Sequence, residues 1–414
     1  MKFSQFGQKF TGNAGILSLM EDLGHALTVN QNMLMLGGGN PGKVPGIVRI
    51  LQKRLADIAK DPESVYRMLG IYDPPQGNVK LIRALVRLFH NLYGWPVQEE
   101  NICLTNGSQS AFFMLFNLLA GQHQDHSFKQ IQFPLTPEYI GYADEGIVPD
   151  IFTAARPRIE MQNPPFFKYH VDFDHLSVGD QVAAICVSRP TNPTGNVLTD
   201  DEIQQLDRIA QNKDIPLIID NAYGVPFPQI VYQEATPFWN ENTIVCMSLS
   251  KLGLPAVRTG IVIGPAEITQ ALAKMNAILT LSPVGVGSQL VLDLVESGEI
   301  CRIAREIIRP FYQKKMRQTV QWIQNTFSGL DYAIHQPEGA MFLWLWFRNL
   351  PVSSLELYER LKQKGVLVVS GHYFFPGLSE DWDHKAQCIR MTYSQDDAVV
   401  KRGIEIMGET IRGL

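Results

Sequence analysis

The chain has 414 residues, of which 45% are hydrophobic and 19% are charged. These proportions are those of an ordinary globular protein and exclude a disordered or fibrous chain. The 36 basic and 41 acidic side chains leave a net charge of −5, so no basic field is available for a nucleic acid or an anionic membrane surface.

The start of the chain, residues 1–24, contains no continuous apolar segment. No run in the sequence approaches the roughly 18 apolar residues of a membrane span, so we expect neither a transmembrane helix nor a secretory signal. The five cysteines lie far apart and form no CxxC pair, which favours free thiols in a reducing compartment over disulfides or a metal site. A cytoplasmic protein without a metal ion is therefore expected.

A glycine-rich segment, LGGGNPGKVP, lies at residues 36–45. Gly37 to Lys43 satisfies the first seven positions of a phosphate-binding P-loop, but Val44 stands where that motif needs Ser or Thr. Pro41 also removes a backbone N–H donor. The segment therefore predicts a tight loop that approaches a ligand other than a nucleotide, with a plain loop as the alternative.

Four strand-like runs alternate with amphipathic helical patterns through the middle of the chain, which predicts an α/β fold. The runs are NICLTNG from 101, VAAICVSRP from 182, IPLIID from 215 and TIVCMSLSK from 243. Each run is apolar on both faces, as expected for buried parallel strands. Among the helical segments between them, TDDEIQQLDRIAQNK begins with Thr199 as an N-cap and has acidic residues in its first turn.

The pattern changes after residue 295, where a long helical stretch with a predicted kink at Pro310 begins. Beyond it, AMFLWLWF and QCIRMTYS are predicted strands and SSLELYERLKQKG is a predicted helix, which fits a smaller α+β domain. We therefore predict an N-terminal arm at 1–44 that packs with the small domain, a large domain at 45–300 and a small domain at 301–414.

Polar side chains follow each of the four predicted strands. In an open α/β sheet such strand ends meet at one crevice, where ligands bind. Each residue alone is more simply explained by a structural role, but four such ends in one sheet favour a shared site. The residues are Gly107, Ser108 and Gln109 after the first strand, Asn192 after the second, Asp220 and Tyr223 after the third, and Ser248, Lys251 and Arg258 after the fourth.

This set of side chains matches the chemistry of pyridoxal 5′-phosphate. A lysine amine can hold an aldehyde cofactor covalently, and an aspartate keeps a pyridine nitrogen protonated so that the ring accepts electrons. An arginine and a helix N-terminus can together bind a phosphate. Tyr223 and Asn192 would contact the phenolic oxygen of the cofactor, and Lys251 would be the nucleophile.

With these residues assembled, the sequence resembles the fold type I pyridoxal-phosphate aminotransferases over nearly its whole length. The motifs SLSK, DNAYG and NPTG carry Lys251, then Asp220 with Tyr223, then Asn192, and they keep the order of that family. The resemblance implies a large domain with a mainly parallel sheet, a smaller α+β domain, and Lys251, Asp220 and Tyr223 as catalytic residues. It also implies further cofactor ligands, namely Gly107, Ser108, Gln109, Tyr139, Ser248 and Arg258.

The resemblance implies a homodimer with shared active sites, because Tyr72 corresponds to a tyrosine that reaches the phosphate in the neighbouring subunit. Arg390 corresponds to the arginine that clamps the α-carboxylate of the substrate through two hydrogen bonds. Gly39 and Asn192 are the other candidates for substrate binding. The seven-residue step from Lys251 to Arg258 is one residue shorter than is common in the family, and we expect the turn to absorb the difference.

Phrases around these motifs, among them FTGNAGILSLMEDL and EGAMFLWLWF, are similar to those of family members that exchange an amino group between valine and pyruvate. The implied reaction is ping-pong: L-valine leaves as 3-methyl-2-oxobutanoate, and pyruvate then leaves as L-alanine. Alanine and 2-aminobutyrate are further expected donors. The apolar wall that would accept their side chains has Ile16, Leu17 and Phe374 as candidates.

Two alternatives remain open. One is another fold type I enzyme, either an aminotransferase of different specificity or a β-lyase, because cofactor ligands do not choose which bond breaks. The other is a non-catalytic sensor that binds pyridoxal phosphate. A sensor would need a DNA-binding segment, and we expect none because the resemblance begins within the first dozen residues.

Overall fold

Helices and strands alternate through most of the chain in a computed structural model that describes residues 2–12, 15, 17, 20, 21, 24 and 33–414. The helices are α1 (Gln5–Phe10), α2 (Pro45–Ala59), α3 (Pro62–Leu69), α4 (Val79–Tyr93), α5 (Ser108–Leu119), α6 (Asp200–Asn212), α7 (Ala266–Thr280), α8 (Gly285–Glu296), α9 (Glu299–Ile303), α10 (Arg309–Thr326), α11 (Ser354–Gln363) and α12 (Asp397–Arg412). The strands are β1 (Leu34–Met35), β2 (Ile102–Thr105), β3 (Gly121–Gln122), β4 (Phe128–Phe133), β5 (Phe152–Ala154), β6 (Arg158–Met161), β7 (Phe166–His170), β8 (Val182–Ser188), β9 (Leu217–Asp220), β10 (Thr243–Ser248), β11 (Gly260–Ile263), β12 (Tyr332–His335), β13 (Phe342–Phe347), β14 (Val366–Leu367), β15 (Val369–Ser370) and β16 (Cys388–Thr392).

The larger sheet contains the four strands that the sequence predicts. Its order is β2-β11-β10-β9-β8-β4-β3, with β5 paired to β4. Strands β4, β8, β9 and β10 run parallel, whereas β11 lies antiparallel between β10 and β2. Every residue of β2, β10 and β11 is buried, because apolar side chains fill both faces of the sheet. The predicted α/β class is therefore confirmed.

A second sheet takes its strands from two distant parts of the chain. Its order is β15-β16-β13-β12-β7-β6, so the hairpin of β6 and β7 pairs with strands near the end of the chain. In this pairing β7 runs parallel to β12, with Phe166 opposite Ile334. The sequence does not predict this contribution from residues 158–170. The boundaries proposed after residues 44 and 300 stay a prediction.

The glycine-rich segment lies beside the second sheet. Strand β1, directly before it, pairs in parallel with β14. The backbone N–H of Thr392, in β16, donates a hydrogen bond of 2.7 Å to the carbonyl of Leu36. The segment that follows Leu36 is therefore held against the strand that carries Arg390.

The predicted kink near Pro310 coincides with a change of helix type. A π-helical turn at Ala304–Ile308 separates α9 from α10, and Pro310 is the second residue of α10. Because proline has no N–H group, it cannot donate to the carbonyl of Glu306 as a regular α-helix would require.

Three general properties bear on function. None of the helices within the described residues is both long and apolar enough to cross a bilayer. The five cysteines are free thiols, and four of them are buried. In the same part of the chain, no group of three or more His, Cys, Asp or Glu side chains is arranged to hold a metal ion.

A buried ion pair ties the β6–β7 hairpin to the loop after β8. The ammonium of Lys168, in β7, contacts the carboxylate of Glu338 and donates to the side chain of Asn196 at 3.0 Å and to the carbonyl of Val197 at 3.1 Å. The same carboxylate accepts the backbone N–H of Val197 at 2.9 Å. Since Asn192 lies in this loop, the pair fixes one wall of the site described below.

Replacing Lys168 by methionine should destabilise the protein strongly. The Lys168→Met variant would leave the carboxylate of Glu338 buried without its cation, a change that typically costs about 3–5 kcal/mol of unfolding free energy. Chemical unfolding of the variant measures this loss. The double variant Lys168→Met, Glu338→Gln keeps an acceptor for Val197 without the charge and should be more stable than Lys168→Met alone. A single variant as stable as the unaltered protein would contradict the argument.

Candidate active site

The carboxyl ends of β8, β9 and β10 and the start of α5 open onto one cleft with a volume of about 600 Å³. Most of the cofactor ligands that the sequence predicts line this cleft. The lining residues are Ser108, Gln109, Tyr139, Pro190, Asn192, Asp220, Ala222, Tyr223, Ser248, Ser250, Lys251 and Arg258. The strand ends therefore converge because their strands are neighbours in one sheet.

Lys251 extends into the cleft from a short 3₁₀ turn at Ser250–Leu252, directly after β10. Its ammonium donates a hydrogen bond of 2.7 Å to the carbonyl of Gly39 and lies 5.5 Å from the centre of the Tyr223 ring. Burial, and next the positive charge of Arg390, lower the pKa of Lys251 to about 8. Near neutral pH a larger fraction of this amine than of an ordinary lysine is thus in its uncharged, nucleophilic form.

Asp220 is the last residue of β9 and is half-buried at the cleft. One of its carboxylate oxygens accepts a hydrogen bond of 2.6 Å from the hydroxyl of Tyr142, and the other accepts the backbone N–H of Ala222 at 2.9 Å. Burial raises the pKa of Asp220, while these two donors and nearby Lys251 oppose that shift. A carboxylate can accept about four hydrogen bonds, so Asp220 has capacity for a further donor in the cleft.

An anion site is formed where α5 begins. Gly107 precedes the helix with φ of +86°, a conformation that favours glycine, and a Cβ atom there would collide with the guanidinium of Arg258. The first N–H groups of α5 and the guanidinium are therefore close together. Arg258 forms no ion pair within the described residues and donates only to the carbonyl of Pro255, at 3.3 Å. Ser248, which also lines the cleft, adds a hydroxyl.

The short step from Lys251 to Arg258 is accommodated by turns. The 3₁₀ turn at Lys251 is followed by Gly253 with φ of +108° and by a second 3₁₀ turn at Pro255–Val257. Arg258 itself adopts a left-handed conformation with φ of +47°. These tight turns bring the chain directly into β11 and explain how seven residues suffice.

Arg390 lies in β16 behind the cleft and is held from several sides. Its guanidinium donates to the side-chain oxygen of Asn192 at 2.9 Å and to the carbonyl of Gly37 at 2.6 Å. The rings of Phe342 and Phe374 face it, with their centres 4.3 and 5.1 Å from its central carbon. Burial lowers the pKa of Arg390 to about 10, and its Nε is buried with no hydrogen-bond partner within the described residues.

Tyrosine rings occupy two positions in the cleft. Tyr139 lies edge-on to Tyr142, with ring centres 5.3 Å apart. Burial, and next the charge of Glu145, raise the pKa of Tyr139 to about 12. Tyr223 is 4% exposed, and burial raises the pKa of its hydroxyl well above the usual range. Both hydroxyls therefore remain protonated at neutral pH and can donate hydrogen bonds.

Some predicted residues are not brought into the cleft. Tyr72 is 78% exposed in the loop between α3 and α4. Phe374 is fully buried against Trp344 and Arg390, so it supports the arginine, and its place in an apolar wall stays a prediction. Leu17 is 40% exposed, and Ile16 lies outside the described residues.

Three buried side chains near Asp220 were missed by the sequence analysis. Besides Tyr142, they are Glu138, which accepts hydrogen bonds from the N–H and hydroxyl of Ser188, and Glu145, which accepts one from the side-chain amide of Gln109. Burial raises the pKa of Glu138 to about 8 and that of Glu145 well above its usual range. The phrase PEYIGYADE contains all three, but only Tyr139 in it was recognised.

The arrangement fits pyridoxal 5′-phosphate. The amine of Lys251 can hold its aldehyde, and Asp220 has room for one more donor such as a protonated ring nitrogen. A phosphate needs positive charge and N–H donors, which Arg258 and the start of α5 supply. Arg258 forms no ion pair within the described residues. No other charged group lines this cleft in the described part of the chain.

Comparison with known families gives one match that covers most of the chain. Residues 53–407 match the family described as aminotransferase class I and II. The match includes the strands of the larger sheet, all the residues that line the cleft, and Arg390.

Individual proteins match over almost their full length. The valine–pyruvate aminotransferase of Escherichia coli (strain K12) is 47% identical over 411 residues, which cover 99% of this chain and 98% of the relative. The crystal structure of valine–pyruvate aminotransferase from Salmonella typhimurium LT2 superposes with a TM-score of 0.89 at 49% identity, covering 96% of this chain and 98% of that one. A crystal structure from Psychrobacter arcticum 273-4 superposes with a TM-score of 0.98 at 46% identity and covers 100% and 99% of the two chains.

The amine of Lys251 should titrate far below an ordinary lysine. In the cofactor-free protein, labelling of Lys251 by an amine-selective reagent should rise with pH around a midpoint of about 8, because only the neutral amine reacts and burial favours that form. Peptide mass mapping at each pH measures the labelled fraction. In the urea-unfolded chain the midpoint should return towards 10.5. Equal midpoints in the folded and unfolded chains would contradict the assigned environment.

Proposed function

The chain belongs to the class I and II aminotransferases and is a transaminase that depends on pyridoxal 5′-phosphate, and from this premise we propose that it transfers the amino group of L-valine to pyruvate. The products are 3-methyl-2-oxobutanoate and L-alanine. The reaction is ping-pong, because one site takes the amino group from the first substrate and gives it to the second.

The observation that carries this substrate choice is the distribution of positive charge. Among the described residues that line the cleft, the cations are Lys251 and Arg258, and Arg390 lies just behind Asn192. If these three serve the cofactor aldehyde, its phosphate and the substrate α-carboxylate, none remains for a second carboxylate. A substrate with an apolar side chain is then favoured, because a buried unpaired carboxylate is costly.

We assign the cofactor to the residues at the strand ends. Lys251 would hold the aldehyde, Asp220 the ring nitrogen, Tyr223 and Asn192 the phenolic oxygen, and Tyr139 a face of the ring. The phosphate would be bound by the start of α5 together with two side chains at and after the end of β10. These phosphate ligands are Gly107, Ser108, Gln109, Ser248 and Arg258.

When bound, the cofactor supplies an aldehyde that accepts an amino group and a ring that withdraws electrons from the reacting carbon. Lys251 then acts as the base that removes a proton from the substrate Cα, for which its lowered pKa is suited. Arg390 binds the α-carboxylate through two N–H groups, and Asn192 orients the guanidinium. The N–H of Gly39 is a further candidate donor to the substrate, since its carbonyl already contacts Lys251.

We also propose a homodimer in which each subunit supplies Tyr72 to the other. Large apolar side chains around Tyr72 are exposed, which is typical of an interaction surface. They are Leu69, Ile71, Ile278, Leu279 and Leu281. The loop of Tyr72 contacts the end of α7, where the side chain of Asn276 donates to the carbonyl of Pro75 at 2.9 Å.

We propose a cytoplasmic location as well, because a reducing compartment suits the five free thiols.

The substrate proposal is tested by kcat/KM for valine, alanine and aspartate with pyruvate or 2-oxo acids as acceptors. Valine and alanine should differ by no more than about a hundredfold, because one or two methylene groups change transition-state binding by about 1–3 kcal/mol. Aspartate should be poorer than valine, because its second carboxylate finds no free cation. Double-reciprocal plots for valine and pyruvate should be parallel, and Lys251→Ala is the inactive control. A preference for aspartate would rule out the proposal.

The shared-site proposal is tested by mixing Lys251→Ala chains with Tyr72→Phe chains. Each mixed dimer would contain one site with both residues intact and one site with both replaced. Half of the sites in mixed dimers should therefore bind the cofactor as tightly as in the unaltered protein. If all the active sites of confirmed mixed dimers behave like those of Tyr72→Phe, each chain completes its own site.

A further inference from the structure

The side chain of Tyr142 has a buried hydroxyl that takes no part in the reaction described above. It lies in a 3₁₀ turn at Ile140–Asp144, is fully buried, and donates its hydroxyl to Asp220 at 2.6 Å. We propose that Tyr142 is a positioning residue of the transaminase, which acts through Asp220 by fixing the orientation and the negative charge of that carboxylate. The proposal rests on the assignment of Asp220 to the ring nitrogen of the cofactor.

The position of the Tyr142 hydroxyl is set by packing and not by the hydrogen bond alone. The rings of Phe112 and Phe116 lie 4.9 and 5.2 Å from the Tyr142 ring, centre to centre. The ring of Phe133 stacks on it with nearly parallel planes, centres 5.7 Å apart, and Tyr139 meets it edge-on. A ring enclosed on these sides cannot swing away from Asp220 without disturbing the core.

The charge of Asp220 needs such a donor because its surroundings oppose ionisation. Burial is the largest influence on the carboxylate and raises its pKa, and Tyr142 is the largest opposing one, ahead of the N–H of Ala222 and the charge of Lys251. Two more buried carboxyls, Glu138 and Glu145, lie within electrostatic range. The titratable groups that face Asp220 are Glu138, Tyr139, Tyr142, Glu145, Cys186, Tyr223, Cys246 and Lys251.

The orientation of the Asp220 carboxylate also depends on Tyr142. Tyr142 is the partner of one carboxylate oxygen and Ala222 is the partner of the other. These two bonds together define the plane of the carboxylate. Without the hydroxyl, the Ala222 bond and the ring nitrogen of the cofactor would hold the group, and rotation about the side-chain bond would become easier. A substitution that removes only this oxygen atom therefore tests orientation and charge without opening a large cavity.

The experiment is a double-mutant cycle in the holoenzyme with Tyr142→Phe and Asp220→Asn. In the presence of Asp220, loss of the hydroxyl should lower kcat/KM about tenfold or more, as expected for a hydrogen bond to a charged group. In the Asp220→Asn background the same change should cost less than about twofold, because the charge through which Tyr142 acts is gone. Equal losses in both backgrounds would overturn the proposal and indicate a purely structural role.

A second readout does not depend on the substrate. Pyridoxal 5′-phosphate bound to the protein absorbs visible light in a pH-dependent way, so the midpoint of that absorbance change reports the charge around the ring. Tyr142→Phe should shift the midpoint when Asp220 is present and leave it unchanged with Asp220→Asn. Unaltered protein that binds the cofactor but fails to transaminate valine would disprove the proposed substrate and leave this test intact.

Controls separate the proposed role from a loss of stability. Tyr169 is another fully buried tyrosine, whose hydroxyl accepts the indole N–H of Trp344 at 3.0 Å in the second sheet. Tyr169→Phe should change thermal stability but not the absorbance midpoint. If Tyr142→Phe does not fold, 3-fluorotyrosine at position 142 keeps the shape, makes the hydroxyl a stronger donor, and should shift the midpoint relative to the unaltered protein. An unchanged midpoint would overturn the proposal.

Discussion

The site depends on a carboxylate at the end of a buried strand. A carboxylate at such a position is costly unless donors or cations surround it, and Asp220 has Tyr142, the N–H of Ala222 and the nearby amine of Lys251. The sheet supplies these neighbours through its register, because Asp220 stands opposite Ser188 of β8 and Cys246 of β10. The strand ends that carry Asn192 and Lys251 are thus fixed relative to Asp220 by backbone pairing before any side chain is considered.

The glycine-rich segment contacts the site through its carbonyl groups and not, as a P-loop would, through its N–H groups. A P-loop presents N–H groups to an anion, whereas here the carbonyls of Gly37 and Gly39 accept hydrogen bonds from Arg390 and Lys251. One short stretch of backbone therefore contacts both cations that are assigned to the reacting molecules. Since Leu36 is itself bonded to Thr392 of β16, the segment connects the two sheets at the cleft.

The sequence predicted the α/β class and the residues at the strand ends because both have strong local signals. Apolar runs of strand length are distinct, and the polar residue after each run identifies its end, as for Asp220 after IPLIID. Tyr142, Glu138 and Glu145 gave no such signal, because a tyrosine or glutamate in a loop is usually exposed, and only the fold shows that these are buried. The packing of Phe374 against Arg390 was not predicted for a related reason, because no local pattern reveals that contact.

The β6–β7 hairpin affects the order in which the chain can assemble. During synthesis this hairpin leaves the ribosome well before β12, yet Phe166 of β7 pairs with Ile334 of β12. The second sheet is therefore incomplete until nearly the whole chain has been made. In the interval β7 has an unpaired edge that includes the apolar residues Phe166 and Phe167, which makes this intermediate prone to aggregation. A fragment that begins after residue 300 would lack both strands of the hairpin. Arg390 therefore could not be supplied by an independently folding C-terminal piece with a complete sheet.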